Sequence, residues 1–182
     1  AGASRPVIRG MDGARVSILS DGSELLDAST ISPDHAVTTE PLLASQIEAQ
    51  AALLHRLPCT LVFDHMARLA DSADGAGVHQ SAFGVVRGLV QQGRAWIKLS
   101  GPYLNSRAGL AAGYADCDAL AQAWVAEAPQ RLVWGSDWPH VTEVAHPPQT
   151  PMLLALLSRW IPDAAQRERV LVHNAAELYG FD

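Results

Sequence analysis

A short apolar run that ends in polar residues recurs along this chain. The clearest copy is Leu132 to His140, which reads Leu-Val-Trp-Gly-Ser-Asp-Trp-Pro-His. Cys59 to Arg68 repeats the design, and Ala95 to Tyr103 and Gly13 to Asp21 are weaker copies. Between successive copies there is room for a helix and a return loop. The pattern therefore predicts βα units whose strands form a parallel sheet.

The helices expected between these strands are indicated by apolar residues at helical spacing. They are predicted over residues 42–57, 81–92, 117–128 and 152–160, with two shorter pieces over 163–172 and 174–179. Asn174 is a good N-cap residue and Gly180 a good stop signal. Ser20 to Glu40 is polar and is interpreted as loop.

Polar side chains follow the predicted strands directly. In parallel α/β proteins the carboxyl ends of the strands and the loops after them hold the reactive groups. Asp137 and His140 therefore lie where a catalytic pair is expected. The structural alternative is that Asp137 caps the next helix and His140 packs beside Pro139.

The strand ends together supply a set of groups suited to hydrolysis of an acidic molecule. A carboxylate with histidines activates water directly or through a metal, and arginine pairs with carboxylates through two hydrogen bonds. Both the direct and the metal-assisted route stay open at this point. The set consists of Asp64, His65, Arg68, Ser100, Tyr103, Arg107, Asp137 and His140.

Composition narrows the class of protein. The 182 residues predict one domain, residues 1–182, and 48% hydrophobic residues are enough for a core. A net charge of −6 and a single lysine, Lys98, argue against a nucleic-acid or anionic membrane partner. Cys59 and Cys117 form no CxxC pair, which argues against a cysteine zinc site. We expect a cytoplasmic protein that binds a small acidic substrate. A homo-oligomer is compatible with this expectation.

The motifs taken together resemble one family. Residues 64–68, 96–103, 134–140 and 173–181 are similar to segments of the amidohydrolase-related TIM-barrel hydrolases, and most similar to the branch of 2-pyrone-4,6-dicarboxylate lactonase. The resemblance implies a (β/α)8 barrel that hydrolyses lactones of small di- or tricarboxylates.

The resemblance also implies roles for individual residues. Asp137 would be the general base that activates water, and His65 would hold and polarise the lactone carbonyl. The substrate carboxylates would be bound by Arg9, Arg15, Arg68 and Arg107, with His140 and Tyr103 beside them. The lactonase branch works without a metal, so the expected cofactor is none.

The chain departs from the family in two respects. The family begins with a strand that ends in His-x-His, a pattern absent from this sequence. Eight βα units also need roughly 250 residues. We therefore expect an incomplete barrel that lacks the N-terminal βα units. Without the His-x-His pair, His65 and Asp137 alone would be too few ligands for a tight zinc site.

A further unit is expected between the Val16 to Leu19 strand and the Leu42 helix. Only Ala36-Val37 is weakly strand-like in that interval. A parallel barrel that lacks an internal strand leaves backbone groups unpaired in its interior. We therefore predict fewer than eight barrel strands and a break in the chain within Ser29 to Ser45.

Two other functions remain possible from the sequence. One is a metal-dependent amidohydrolase or decarboxylase on the same fold, which would use a divalent ion such as zinc. The other is a barrel that binds carboxylates through its arginines without catalysis.

Overall fold

A computed structural model describes residues 18–20, 23–25, 37–38, 43–69, 81–140, 142–143 and 145–181. The first two strands form an antiparallel hairpin, in which β1 (Ile18–Ser20) pairs with β2 (Ser23–Leu25). The prediction that Val16 to Leu19 opens a parallel βα unit is therefore wrong. The intervening dipeptide Asp21-Gly22 favours two-residue hairpin loops. The prediction relied on the apolar run alone and did not use this dipeptide.

Four strands form a parallel sheet in sequential order. They are β3 (Val37–Thr38), β4 (Leu61–Phe63), β5 (Ala95–Leu99) and β6 (Leu132–Trp134). The last three confirm the sequence prediction of an α/β fold with a parallel sheet. β3 corrects the interpretation of Ser20 to Glu40 as loop, because Val37 pairs with Leu61. The predicted break within Ser29 to Ser45 falls largely outside the described residues and stays a prediction.

The helices follow the predicted order with shifted ends. They are α1 (Ala44–Ala49), α2 (Ala51–Leu54), α3 (Ser81–Gln91), α4 (Asp118–Glu127), α5 (Thr150–Trp160), α6 (Ala164–Glu168) and α7 (Asn174–Tyr179), with a π-helical turn at Arg169–His173 between the last two. Asp163 caps α6 by accepting from the Gln166 N–H at 2.8 Å. Gly180 ends α7, as predicted, and its backbone is left-handed there. None of the helices in the described residues has the length and hydrophobicity to cross a membrane.

The core lies between the sheet and helices α3, α4 and α5. Alternate residues of a strand face opposite sides of the sheet, so Leu61 and Ile97 pack against these helices. Phe83 of α3 stacks on Trp124 of α4 with ring centroids 4.2 Å apart. The other face of the sheet is smaller and packs against α7 through Trp96.

The C-terminal helix is joined to the last strand by one side chain. Asn174 Nδ2 donates to the carbonyl of Leu132 at 2.7 Å and to that of Pro129 at 3.0 Å. The residue is 1% exposed. The prediction of Asn174 as an N-cap is therefore wrong, because the helical chain enters α7 without a break and the amide satisfies backbone carbonyls of a distant segment.

Candidate functional site

The polar residues predicted to be functional follow three neighbouring parallel strands. Phe63 is in register with Ile97, and Leu99 with Trp134. The segments 64–68, 100–105 and 135–140 therefore leave the sheet at the same edge. We call this the carboxyl edge of the sheet.

The first of these segments has an unusual backbone. His65, Met66, Ala67 and Arg68 all have positive φ, between 50° and 59°. This left-handed region is unfavourable for residues with a Cβ, by roughly 1–2 kcal/mol each. Tertiary contacts stabilise the turn, because Asn105 Nδ2 donates to the His65 carbonyl at 2.8 Å and Trp124 Nε1 donates to the Met66 carbonyl at 3.3 Å.

Asp137 forms the centre of the candidate site. Its Oδ2 accepts a hydrogen bond of 2.5 Å from the Tyr103 hydroxyl, which also lies 3.1 Å from His140 Nδ1. The Asp137 side chain keeps 30% exposure, so a small molecule can reach it. Burial and the hydrogen bond to Asp137 raise the pKa of Tyr103, which keeps the phenol protonated.

His65 lies on the other side of Asp137. Its Nδ1 is 3.8 Å from Asp137 Oδ2 and 3.0 Å from Ser100 Oγ. Burial lowers the pKa of His65 although Asp137 and Asp64 oppose this, so the imidazole is neutral near pH 7. A Cβ on Gly101 would come within 2.5 Å of His65 Nδ1, so the close contact requires glycine at this position.

Asp64 was among the candidate residues, but its ion pair with Lys98 was not predicted. Lys98 Nζ lies 2.5 Å from Asp64 Oδ1, with side-chain exposures of 22% and 17%. Burial alone would lower the pKa of Lys98, but the negative charge of Asp64 raises it. A lone lysine inside the apolar run Ala-Trp-Ile-Lys-Leu was the available signal. The pair holds Asp64 next to His65, where its charge acts on the imidazole.

The predicted arginines are placed differently from one another. The Nε of Arg68 is buried and has no hydrogen-bond partner among the described residues. Arg107 is exposed on a loop that the Asp116 carboxylate organises, accepting from the backbone N–H of Arg107 at 2.7 Å and from Ser106 Oγ at 2.5 Å. Arg9 and Arg15 lie outside the described residues.

The same residues do not form a metal site by themselves. No group of three His, Cys, Asp or Glu side chains in the described part of the chain is arranged to hold an ion. Asp137 Oδ2 is already bonded to Tyr103, and His65 Nδ1 lies close to Ser100. These side chains alone therefore do not fit a metal ion.

Comparison with known proteins identifies relatives. The family model described as amidohydrolase matches residues 31–181. The D-galactarolactone isomerase of Agrobacterium fabrum is 32% identical over 93% of this chain and 59% of its own length. The 4-sulfomuconolactone hydrolase of Rhizobium radiobacter is 36% identical over 74% of this chain and 44% of its own length.

A third relative and two crystal structures are also similar to this chain. The 2-pyrone-4,6-dicarboxylate hydrolase of Comamonas testosteroni is 32% identical over 68% of this chain and 42% of its own length. An apo structure from Agrobacterium tumefaciens is 30% identical, with a TM-score of 0.68 over 81% of this chain and 50% of that chain. A zinc-bound amidohydrolase from Burkholderia multivorans, 23% identical with a TM-score of 0.62 over 82% of this chain and 54% of that chain, shares the fold. The chain thus spans about half the length of the relatives that it matches.

Proposed function

The chain belongs to the amidohydrolase family, and we propose that it forms part of a TIM-barrel enzyme that hydrolyses the lactone of a small di- or tricarboxylate. The family resemblance of the motifs is thereby confirmed, whereas the barrel and the reaction are our proposal. Two relatives are named hydrolases of a sulfomuconolactone and of a pyrone dicarboxylate. The sequential parallel order of β3 to β6 is that of consecutive barrel strands.

Asp137 is the proposed general base. Its carboxylate is partly exposed, and the hydrogen bond from Tyr103 occupies one oxygen while the other can accept from water. Asp137 removes a proton from water as the oxygen attacks the lactone carbonyl carbon. The bond to the ring oxygen then breaks, and Asp137 returns the proton to that oxygen. This partly exposed and fixed carboxylate is the observation on which the proposal rests.

His65 is the proposed electrophilic group. A neutral imidazole can donate one hydrogen bond to the carbonyl oxygen, on which negative charge develops during attack. The Ser100 hydroxyl accepts from the backbone N–H of His65 at 3.3 Å, so its own hydrogen can be directed to His65 Nδ1. That arrangement places the ring proton on Nε2, where it is available to the substrate.

Arg68 is the best supported ligand of a substrate carboxylate. Its buried Nε lacks a hydrogen-bond partner within the described residues, and an unpaired buried donor is unfavourable. A carboxylate that accepts from it would satisfy this group. Arg107, Arg9 and Arg15 stay predicted ligands, and Arg107 lies on an anchored loop beyond β5.

The substitution Asp137→Asn tests this function. We expect kcat to fall about 10²–10⁴-fold with little change in substrate binding, because the amide cannot accept the proton from water. Turnover of carboxylated lactones by wild type and variant is the measurement. A near-normal kcat in the variant would remove Asp137 from the mechanism, and no turnover by the wild type would favour the non-catalytic carboxylate-binding barrel.

The metal-dependent alternative is tested separately. A zinc-bound amidohydrolase of this fold is known, whereas the proposed mechanism uses only side chains of this chain. We expect activity to survive prolonged chelation and metal analysis to find no stoichiometric zinc or manganese. Loss of activity on chelation with recovery on adding zinc would favour a metal-dependent amidohydrolase or decarboxylase.

Lactone isomerisation is a second candidate. It is favoured by the similarity to the D-galactarolactone isomerase, which aligns with 93% of this chain. In that reaction Asp137 would deprotonate a hydroxyl of the substrate instead of water, and the hydroxyl oxygen would attack the same carbonyl carbon. The bond to the original ring oxygen would then break, and Asp137 would return the proton to that oxygen. The product distinguishes the two reactions. Hydrolysis yields an open-chain acid with incorporated solvent oxygen, and isomerisation yields another lactone without it.

A further inference from the structure

Three polar side chains at the carboxyl edge form a continuous chain of hydrogen-bonding groups. Tyr103 Oη lies 3.1 Å from His140 Nδ1 and 2.5 Å from Asp137 Oδ2. The rings of Tyr103 and His140 meet edge to face, with centroids 5.8 Å apart. His140 is 4% exposed. The tyrosine hydroxyl thus joins a buried imidazole to the partly exposed carboxylate.

The direction of these hydrogen bonds follows from the number of protons available. An ionised carboxylate only accepts, so Tyr103 donates its single hydroxyl proton to Asp137. The phenol oxygen can then only accept from His140, which therefore has a proton on Nδ1. Burial and the bond to Asp137 raise the pKa of Tyr103, so the phenol remains a donor at neutral pH.

From this arrangement we propose that Tyr103 is a positioning residue for Asp137, and that His140 orients Tyr103, so that neither is a primary ligand of the substrate. The hydroxyl fixes Asp137 Oδ2 and directs the other oxygen to water. This revises the substrate-binding roles predicted for Tyr103 and His140, and it rests on the proposed function of Asp137 as base.

The same contact serves both halves of the reaction. When Asp137 has taken a proton on its free oxygen, the carboxyl group still accepts from Tyr103 through Oδ2. The acid proton therefore stays directed at the scissile bond, where the ring oxygen needs it. A freely rotating carboxyl group would lose this orientation between the two proton transfers.

The substitution Tyr103→Phe in the full chain removes only the hydroxyl. We expect kcat to fall roughly 10- to 100-fold, the loss typical of a hydrogen bond to a charged group, with KM little changed. Tyr114→Phe is the matched control, since its ring lies 6.5 Å from that of Tyr103 and it is no part of the proposed machinery.

A second readout does not depend on activity. Nitrogen-15 NMR of the histidine rings at pH 8 should find His140 with its proton on Nδ1 in the wild type and in Tyr114→Phe. In Tyr103→Phe the proton should move to Nε2, the more common tautomer. His140→Asn assigns the signal.

The possible results distinguish the positioning role of Tyr103 from the hydrogen-bond chain on which it depends. A rise in KM at constant kcat in Tyr103→Phe would make Tyr103 a substrate ligand and overturn its positioning role. An Nε2 tautomer in the wild type would overturn the hydrogen-bond chain itself. If the wild type opens no lactone, the proposed function fails, and the tautomer measurement still decides whether the chain exists.

Discussion

The carboxyl edge of the sheet differs in backbone geometry and in type of contact from the face that packs against α3, α4 and α5, which we call the helix-packed face. On the helix-packed face, Leu89 and Leu132 are fully buried in regular elements, and Phe83 stacks on Trp124. At the carboxyl edge, consecutive residues after β4 have left-handed backbone, as do Asp137 and His140. Regular geometry and apolar contact therefore coincide in one region, and unfavourable geometry coincides with polar contact in the other.

This difference shows which region stabilises the other. Left-handed residues with side chains persist only where surrounding contacts fix them. Trp124 belongs to the helix-packed face, yet its Nε1 donates to a carbonyl of the left-handed turn. The well-packed core thus offsets the cost of a polar edge whose geometry suits binding more than folding.

The largest contrast is expected between the two arginines proposed to bind substrate and an arginine on the surface. Arg68→Met should weaken binding of acidic substrates by about 1.5–3 kcal/mol, because a charge-assisted contact to a carboxylate is lost, and Arg107→Met should do the same. The control is Arg87→Met in α3, where the side chain is 46% exposed and its guanidinium lies 3.6 Å from the Glu127 carboxylate. Surface ion pairs of this kind contribute little.

Dicarboxylate inhibition constants, determined beside substrate KM, measure this contrast. The inhibition constants and the substrate KM should rise in parallel in the Arg68 and Arg107 variants and stay unchanged in the Arg87 variant. If the Arg68 and Arg107 variants bind substrate and dicarboxylates as tightly as the wild type does, these arginines do not bind substrate. The proposal that the substrate carries carboxylates would then lose its support.

An intermediate effect is expected from two alanine-to-glycine substitutions. Ala67→Gly should leave the free energy of unfolding nearly unchanged, because relief of a left-handed strain of roughly 1–2 kcal/mol offsets the loss of a buried methyl group and the backbone entropy of glycine. Ala121→Gly, inside α4, should lower it by about 1 kcal/mol. Urea unfolding of both variants measures the difference between them. Equal destabilisation would mean that the turn after β4 stores no strain.

The smallest effect concerns pH. Burial lowers the pKa of His65 below its ordinary value of 6.5. Between that value and the folded one, the unfolded chain binds a proton that the native chain does not. Stability should therefore fall as pH falls through this window, by at most about 1.4 kcal/mol per pH unit.

Thermal unfolding as a function of pH measures this dependence. His65→Asn should make it less steep, and His55→Gln, at an exposed position, should leave it unchanged. If the steepness is the same in the wild type and in the His65 variant, His65 does not cause it.

The sequence predicted those strands whose signal is local. β4, β5 and β6 are apolar runs that end in polar residues or glycine, so their pattern reflects the burial that the fold imposes. β3 could not be predicted in the same way, because Val37 and Thr38 are too short a run to show a period. They are strand residues because Leu61 and Val62 pair with them.

The residues of the candidate site could be predicted from the sequence, but the hydrogen bonds between them could not. The sequence indicated that Asp137, His65 and Tyr103 belong near strand ends, because parallel strands deliver those ends to one edge. It could not indicate that the Tyr103 hydroxyl bonds to Asp137, since this depends on the register of separate strands. Nor do the residue types His, Met, Ala and Arg predict a left-handed turn, which tertiary contacts impose.

The Asn174 amide has a consequence for the order in which the chain acquires structure during synthesis. Its bonds to Pro129 and Leu132 tie down the entry to β6, the strand that leads to Asp137. A ribosome delivers β6 first and α7 only after α5 and α6 have followed. The entry to β6 is therefore synthesised before the side chain that secures it, and these two hydrogen bonds can form only after the chain has been extended to Asn174.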